Sequence, residues 1–262
     1  MANPIIRFQD VSKVFHRANG RGDLIAVEQL SLEVAQGEIV AVLGKTGCGK
    51  STMFNLIAGL IEPTSGTVSV SGHDPFRDFE FFRGKIGIVF QGDRLMPWRN
   101  ALANVLLGLE ILDVAPREAE AVARRWLDRL GLNGHENDYP HALSGGMRQR
   151  VSMARAFAVE PDLLLCDEPF SSLDEMTARD LRAEFVRLVR QNGKTAVFIT
   201  HQIREAMEIG DRVLVCHRPA RIAFEARMTE AAREGERQRI HEKILEVLSL
   251  DAPLGATSGL DR

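Results

Sequence analysis

The segment Gly44-Lys45-Thr46-Gly47-Cys48-Gly49-Lys50-Ser51 constrains this chain more than any other. It fits the pattern G-x-x-x-x-G-K-[ST] and lies between the two elements such a loop requires. Before it runs the apolar stretch Ile39–Leu43, a buried-type strand. After it, Met53, Phe54, Ile57 and Leu60 recur at the spacing of a half-buried helix over Lys50–Leu60. Glycines let consecutive backbone N–H groups curl around a polyphosphate, and the helix N-terminus adds positive potential. Lys50 would then reach the β- and γ-phosphates, with the Ser51 hydroxyl on Mg²⁺. Cys48 fills the loop as a small residue. A thiol close to a helix N-terminus can have a lowered pKa, which predicts alkylation that the bound polyphosphate ligand protects against.

Three further apolar runs end in polar residues of the matching chemistry. Leu163–Cys166 ends in Asp167 and Glu168, and the C-terminal end of a buried parallel strand is where open α/β sheets bind ligands. Asp167 suits a metal role, direct or through water, and Glu168 suits a general base that polarises an attacking water. Gln91 follows Ile86–Phe90, and His201 follows Ala196–Thr200. Each alone reads as a strand-end polar residue. Together with Gly44, they place on one sheet edge the groups that hold a γ-phosphate, a metal and a water. Ser144-Gly145-Gly146 opens the helical run Val151–Val159, a second helix start able to take anionic oxygens.

Between the strands, residues 100–159 are patterned as helix, an insertion long enough to be a subdomain. The first third reads as short strands: Ile5–Phe15, Leu30–Val34, Glu38–Leu43 and Thr67–Val70, with a loop at 19–23. Ala178–Arg190 and Ile203–Met207 read as helices, and Arg212–Val215 with Arg221–Phe224 as a closing hairpin. The tail after Arg227 is periodic at Ile240, Ile244, Val247 and Leu248. That pattern fits a docked amphipathic helix or, alternatively, a partner-binding element, and 251–262 is expected to fray. No apolar run approaches the length of a spanning helix, and the first ten residues lack the pattern of a secretory signal. Cys48, Cys166 and Cys216 form no CxxC, which fits a reducing cytoplasm. With 33 basic and 36 acidic residues the net charge of −3 argues against a nucleic-acid partner.

Leu143-Ser144-Gly145-Gly146-Met147-Arg148-Gln149-Arg150 resembles the signature of ATP-binding cassette (ABC) ATPases, and the other motifs follow in that family's order. Walker A falls at 44–52, the Q-loop at Gln91, Walker B ends at Asp167-Glu168, the D-loop is Ser172-Leu173-Asp174, and the switch histidine is His201. Phe15 resembles the aromatic on which adenine stacks, with a buried strand Phe as the alternative reading. The resemblance implies an α/β P-loop NTPase core with an antiparallel β subdomain and a helical subdomain insert. The corresponding division is a core of 1–91 and 159–227, a helical part at 92–158 and a tail at 228–262. It also implies ATP-binding by Phe15, Gly44, Thr46, Gly47, Cys48, Gly49, Lys50, Ser51, Thr52, Ser144, Gly145, Gly146 and Asp174. Mg²⁺ falls to Ser51, Gln91 and Asp167, and catalysis to Glu168, His201, Lys50 and Gln91.

Leu95-Met96-Pro97-Trp98, Tyr139-Pro140-His141 and Asp167-Glu168-Pro169-Phe170 resemble the importer branch for nitrate, sulfonates, taurine and bicarbonate, and members serving pyrimidines are similar. The family implies a second ATPase copy, transmembrane permease subunits, a periplasmic or extracellular solute-binding protein, and a place on the cytoplasmic face of the inner membrane. In that setting the groove beside Gln91 and Leu95–Trp98 receives a helix of the membrane subunit; packing between lobes is the competing account of those side chains. The rival function is a non-transport ABC ATPase, as in iron–sulfur cluster assembly. Lys45 in place of the usual Pro, Gln202 after the switch His, and Ser171-Ser172 before Leu173 depart from the family pattern without removing a catalytic group.

Overall fold

The computed structural model describes residues 4–16, 22–228 and 234–251. Two sheets organise it. Strands β1 (Ile6–Phe15), β2 (Leu24–Val34) and β4 (Ser65–Val70) form an antiparallel sheet in the order β2-β1-β4. The central sheet has the order β5-β6-β7-β3-β8-β9, from β3 (Ile39–Gly44), β5 (Ile86–Val89), β6 (Leu163–Asp167), β7 (Thr195–Thr200), β8 (Arg212–His217) and β9 (Arg221–Arg227). The first five strands in that order are parallel and β9 closes the edge antiparallel to β8. Every residue of β3 and β7 is buried, as continuous apolar strands covered on both faces must be.

Helix α1 (Lys50–Ile57) follows β3 and stops short of Leu60, which is half exposed. The helical insertion comprises α2 (Ala101–Ile111), α3 (Pro116–Arg129) and α4 (Gly145–Ala158), and α5 (Glu175–Gln191) leads back to β7. Side chains start three of these: Asn100 accepts from Ala103 N, Ser144 from Met147 N and Asp174 from Thr177 N. One hydrophobic cluster runs from Val105, Trp126 and Phe157 in this region to Ile39, Leu164 and Phe198 in the sheet. Within it Phe170, Phe185 and Phe198 meet edge-on or tilted, with centroids 5.8–6.4 Å apart. Phe170 thereby pins the turn that follows Glu168.

β2 begins at Leu24, six residues before the strand expected from Leu30. Its partner β1 carries register shifts, and Asp10 and Gln29 sit at φ 49° and 43°. Such bulges break the two-residue alternation that marks a strand. The expected loop at 19–23 lies partly outside the described residues, as do 252–262. Helices α6 (Ile203–Ile209) and α7 (Glu234–Leu250) are the last helices among the described residues. The tail does dock: Ile244 and Val247 are buried against Ala206, Met207, Val213 and Val215. At its end, Val247 O lies 2.8 Å from His217 Nε2 and Asp251 O accepts from Lys45 Nζ at 2.8 Å.

Candidate functional site

Because β5, β6, β7 and β3 are adjacent and parallel, their C-terminal ends share one edge. Gly44, Gln91, Asp167-Glu168 and His201 all occupy or follow those ends. The loop from Lys45 to Gly49 turns tightly into α1. Gly49 sits at φ 107°, and a β-carbon there would fall 2.3 Å from Ala26 O and 2.7 Å from the Ala220 side chain. Only glycine fits that position, which holds the loop against both sheets at once. Lys50 is buried and donates from Nζ to Gly44 O at 2.6 Å and Lys45 O at 3.1 Å. No carboxylate among the described residues pairs with it. Its charge is thus held at the loop mouth by two carbonyls and, at 3.9 Å, the Cys48 sulfur, ready for an anion.

A cavity of about 330 Å³ opens over this loop, lined by Thr46, Gly47, Lys50, Ser51 and Thr52, with Phe15 and Glu168 on its walls. Phe15 is 39% exposed rather than buried in the sheet, and Lys13 Nζ lies 5.3 Å from its ring centroid. Leu24, Ala26 and Arg218 also line the cavity. Sequence reasoning missed these three, because Arg218 comes from the β8–β9 turn and neither Leu24 nor Ala26 belongs to a motif.

Asp167 is half-buried, and burial followed by the adjacent Glu168 charge pushes its carboxyl up, while Lys50 pulls it down. Glu168 has φ 46°, a left-handed conformation rare for a side-chain-bearing residue and characteristic of functional turns. Its Oε2 is 2.9 Å from His201 Nδ1, and its N–H donates to Ile199 O at 2.9 Å. The two residues assigned separate roles are thus in direct contact. Gln91 is exposed and, among the described residues, its side chain has no hydrogen-bond partner.

Burial, the largest influence on Cys48, pushes its thiol up, and the nearby Lys50 offsets only part of this. The expected lowered pKa is therefore corrected: α1 begins beside a thiol that is only 2% exposed, and desolvation dominates. Cys166 and Cys216 are buried and likewise pushed up. Native protein at about pH 7.5 should accordingly react only slowly with N-ethylmaleimide, with or without ATP. Rapid single-site labelling seen by intact mass would contradict this account of the loop.

Ser144, Gly145, Gly146 and Asp174 do not line the cavity. They form a separate surface where α4 and α5 begin. A β-carbon on Gly146 would come 2.7 Å from Thr177 Cγ2, so the signature turn lies directly on the first turn of α5. Asp174 is held below its ordinary range by the Thr177 N–H that it accepts. The segment after Gln91 is strapped to α4: Arg148 Nε meets Asp93 Oδ2 at 2.8 Å, and Arg155 donates to Asp93 O and Arg94 O. Buried Asn104 accepts from Met96 N and donates to Met96 O, Arg99 O and Asn100 O, fixing the same loop from within. Of the two accounts of this loop, Leu95 follows lobe packing, whereas Trp98 is 72% exposed.

A glycine-lined phosphate loop facing strand-end carboxylates defines a P-loop nucleotide-binding protein, and the separate glycine-rich helix start narrows the class further. The family model described as "ABC transporter" matches residues 27–171. The taurine import ATP-binding protein TauB of Pseudomonas aeruginosa is 45% identical over 77% of this chain and 76% of its own length. An ABC transporter ATP-binding protein of Methanocaldococcus jannaschii is 38% identical over 83% of this chain and 79% of its own. The dimeric post-hydrolysis structure of the ATP-binding cassette MJ0796, bound to ADP and Pi, superposes with TM-score 0.74 at 32% identity, covering 86% and 99% of the two chains. The chain belongs to the ABC transporter family, as an ATP-hydrolysing subunit. Among the described residues no helix is long and apolar enough to cross a membrane.

Proposed function

We propose that this chain is the motor of an importer, that two copies close around ATP, and that closure drives a separate membrane subunit. The observation that carries the coupling is the exposed Trp98 on a loop tied through Arg148 and Arg155 to the signature helix. An apolar contact made there reaches the helix start that faces the other copy's nucleotide. Similarity to a taurine import protein supports a small solute of the sulfonate, nitrate or bicarbonate kind, or a pyrimidine.

Within each site the 46–51 backbone and Lys50 grip the triphosphate, and Phe15 offers its ring to adenine. Ser144–Gly146 and Asp174 complete the partner's site rather than their own. Glu168 orients water and draws its proton, while His201 steadies the γ-phosphate and is itself held by Glu168. Ser51, Gln91 and Asp167 are hard oxygen donors. No cluster of three or more carboxylates, imidazoles or thiols able to hold a metal occurs among the described residues. That donor set fits Mg²⁺, which takes most of its ligands from phosphates and water. When bound, Mg²⁺ neutralises charge on the phosphate oxygens.

The test is purification with its native membrane subunits, followed by uptake assays with taurine, nitrate, bicarbonate and pyrimidines. ATPase activity stimulated by a solute-loaded binding protein is the expected result. A chain that assembles with no membrane protein, and turns over ATP independently of any solute, would overturn the importer reading.

A further inference from the structure

Helix α6 carries a carboxyl group that the mechanism above leaves unused. Glu205 is 2% exposed, and its Oε1 is buried without a hydrogen-bond partner. Such an oxygen carries a desolvation cost that an apolar residue in the same place would not incur. Its other oxygen accepts from the Thr200 hydroxyl. That hydroxyl, also buried, accepts in turn from Gln202 N at 3.0 Å. The two bonds flank His201 on both sides and tie the end of β7 to the first turn of α6. The His201 ring itself is 47% exposed, and among the described residues its one hydrogen bond is to Glu168. Besides that one bond, what fixes the imidazole is the backbone on either side of it. The charged groups facing Glu205 are Arg182, His201 and Glu168, and burial pushes its carboxyl up.

We infer that Glu205 is a positioning residue that sets the switch histidine by holding the Thr200 hydroxyl, and thereby the 200–202 backbone. This rests on the role given to His201 above. A misplacement of about 1 Å at a reacting centre costs up to about 100-fold in rate, whereas triphosphate binding depends on the loop at 44–51. Glu205→Ala in the intact chain should therefore lower kcat per nucleotide-binding site by about 10-fold or more, with KM for ATP changed less than about 2-fold. Glu205→Gln, which still accepts from Thr200, should keep most of the activity. Thr200→Val removes the hydroxyl at nearly constant volume and should reproduce the Ala variant; it carries the test alone if Glu205→Ala does not fold.

A second readout needs no turnover. Loosening the 200–202 backbone frees the ring from Glu168, so diethyl pyrocarbonate should modify His201 several-fold faster in Glu205→Ala than in Glu205→Gln, read by peptide mass. Unchanged kcat in Glu205→Ala or Thr200→Val overturns the inference, as does a Gln variant as impaired as the Ala one. His201→Ala is the control: full turnover there would remove the histidine's role itself. An inactive His201→Ala beside a fully active Glu205→Ala would remove only the role of Glu205.

Discussion

Glu168→Gln is expected to bind ATP normally, hydrolyse it about 10²–10⁴-fold more slowly, and accumulate as an ATP-bound dimer. The substitution is isosteric, so the left-handed turn at φ 46° and the bond from its N–H to Ile199 O persist. An amide oxygen still accepts from His201 where the carboxylate does, at 2.9 Å in the native chain. What disappears is the group that draws the proton from water. The site then holds its substrate in a geometry that no longer reacts, and the closed state outlives its usual lifetime. Single-turnover hydrolysis and size-exclusion chromatography with ATP measure the two halves of this result. Turnover near that of the native chain would remove the base assignment from Glu168.

The second large effect is on binding. Lys50→Ala should weaken ATP affinity by about 100-fold or more. A charge-assisted hydrogen bond contributes about 1.5–3 kcal/mol, the ammonium can make two to the phosphates, and about 1.4 kcal/mol is a factor of ten. The native lysine is already turned into the loop mouth by Gly44 O and Lys45 O. Without it those two carbonyls face an incoming polyanion uncompensated. Isothermal titration with ATP gives the loss directly, and a thermal melt of the nucleotide-free variant separates it from unfolding. Undiminished affinity would overturn the phosphate-loop reading.

Much of the catalytic edge was legible because its chemistry is local in sequence. Gly44–Ser51 and Asp167-Glu168 each follow directly from a buried strand, so strand pattern and motif locate one another. Sequence did not reveal what depends on contacts between distant segments. β2 begins at Leu24, but the bulges at Asp10 and Gln29 that accommodate its pairing erase the alternation that would mark it. Arg218 enters the cavity over the 44–51 loop from a turn whose spacing to that loop follows only from the β3–β8 pairing. Cys48 misled for a related reason. A helix start and a neighbouring cation such as Lys50 lower a thiol pKa, but here burial outweighs them, and burial is a property of the folded chain. The contact between Glu168 and His201 likewise joins residues that follow two different strands.

The close approach of Gly49 to Ala26 and Ala220 bears on how the protein is made. The loop's walls come from both ends of the chain, and β3 itself lies between β7 and β8. Residues 1–60 carry the whole 44–51 motif but neither β7 nor β8, the strands on either side of β3. Contacts so far apart in sequence are slow to form, and they wait on synthesis beyond Ala220. ATP therefore has no cradle in a partial chain. Nucleotide can reward folding only at its last stage, and a chain truncated before β8 should bind ATP no better than an unfolded peptide.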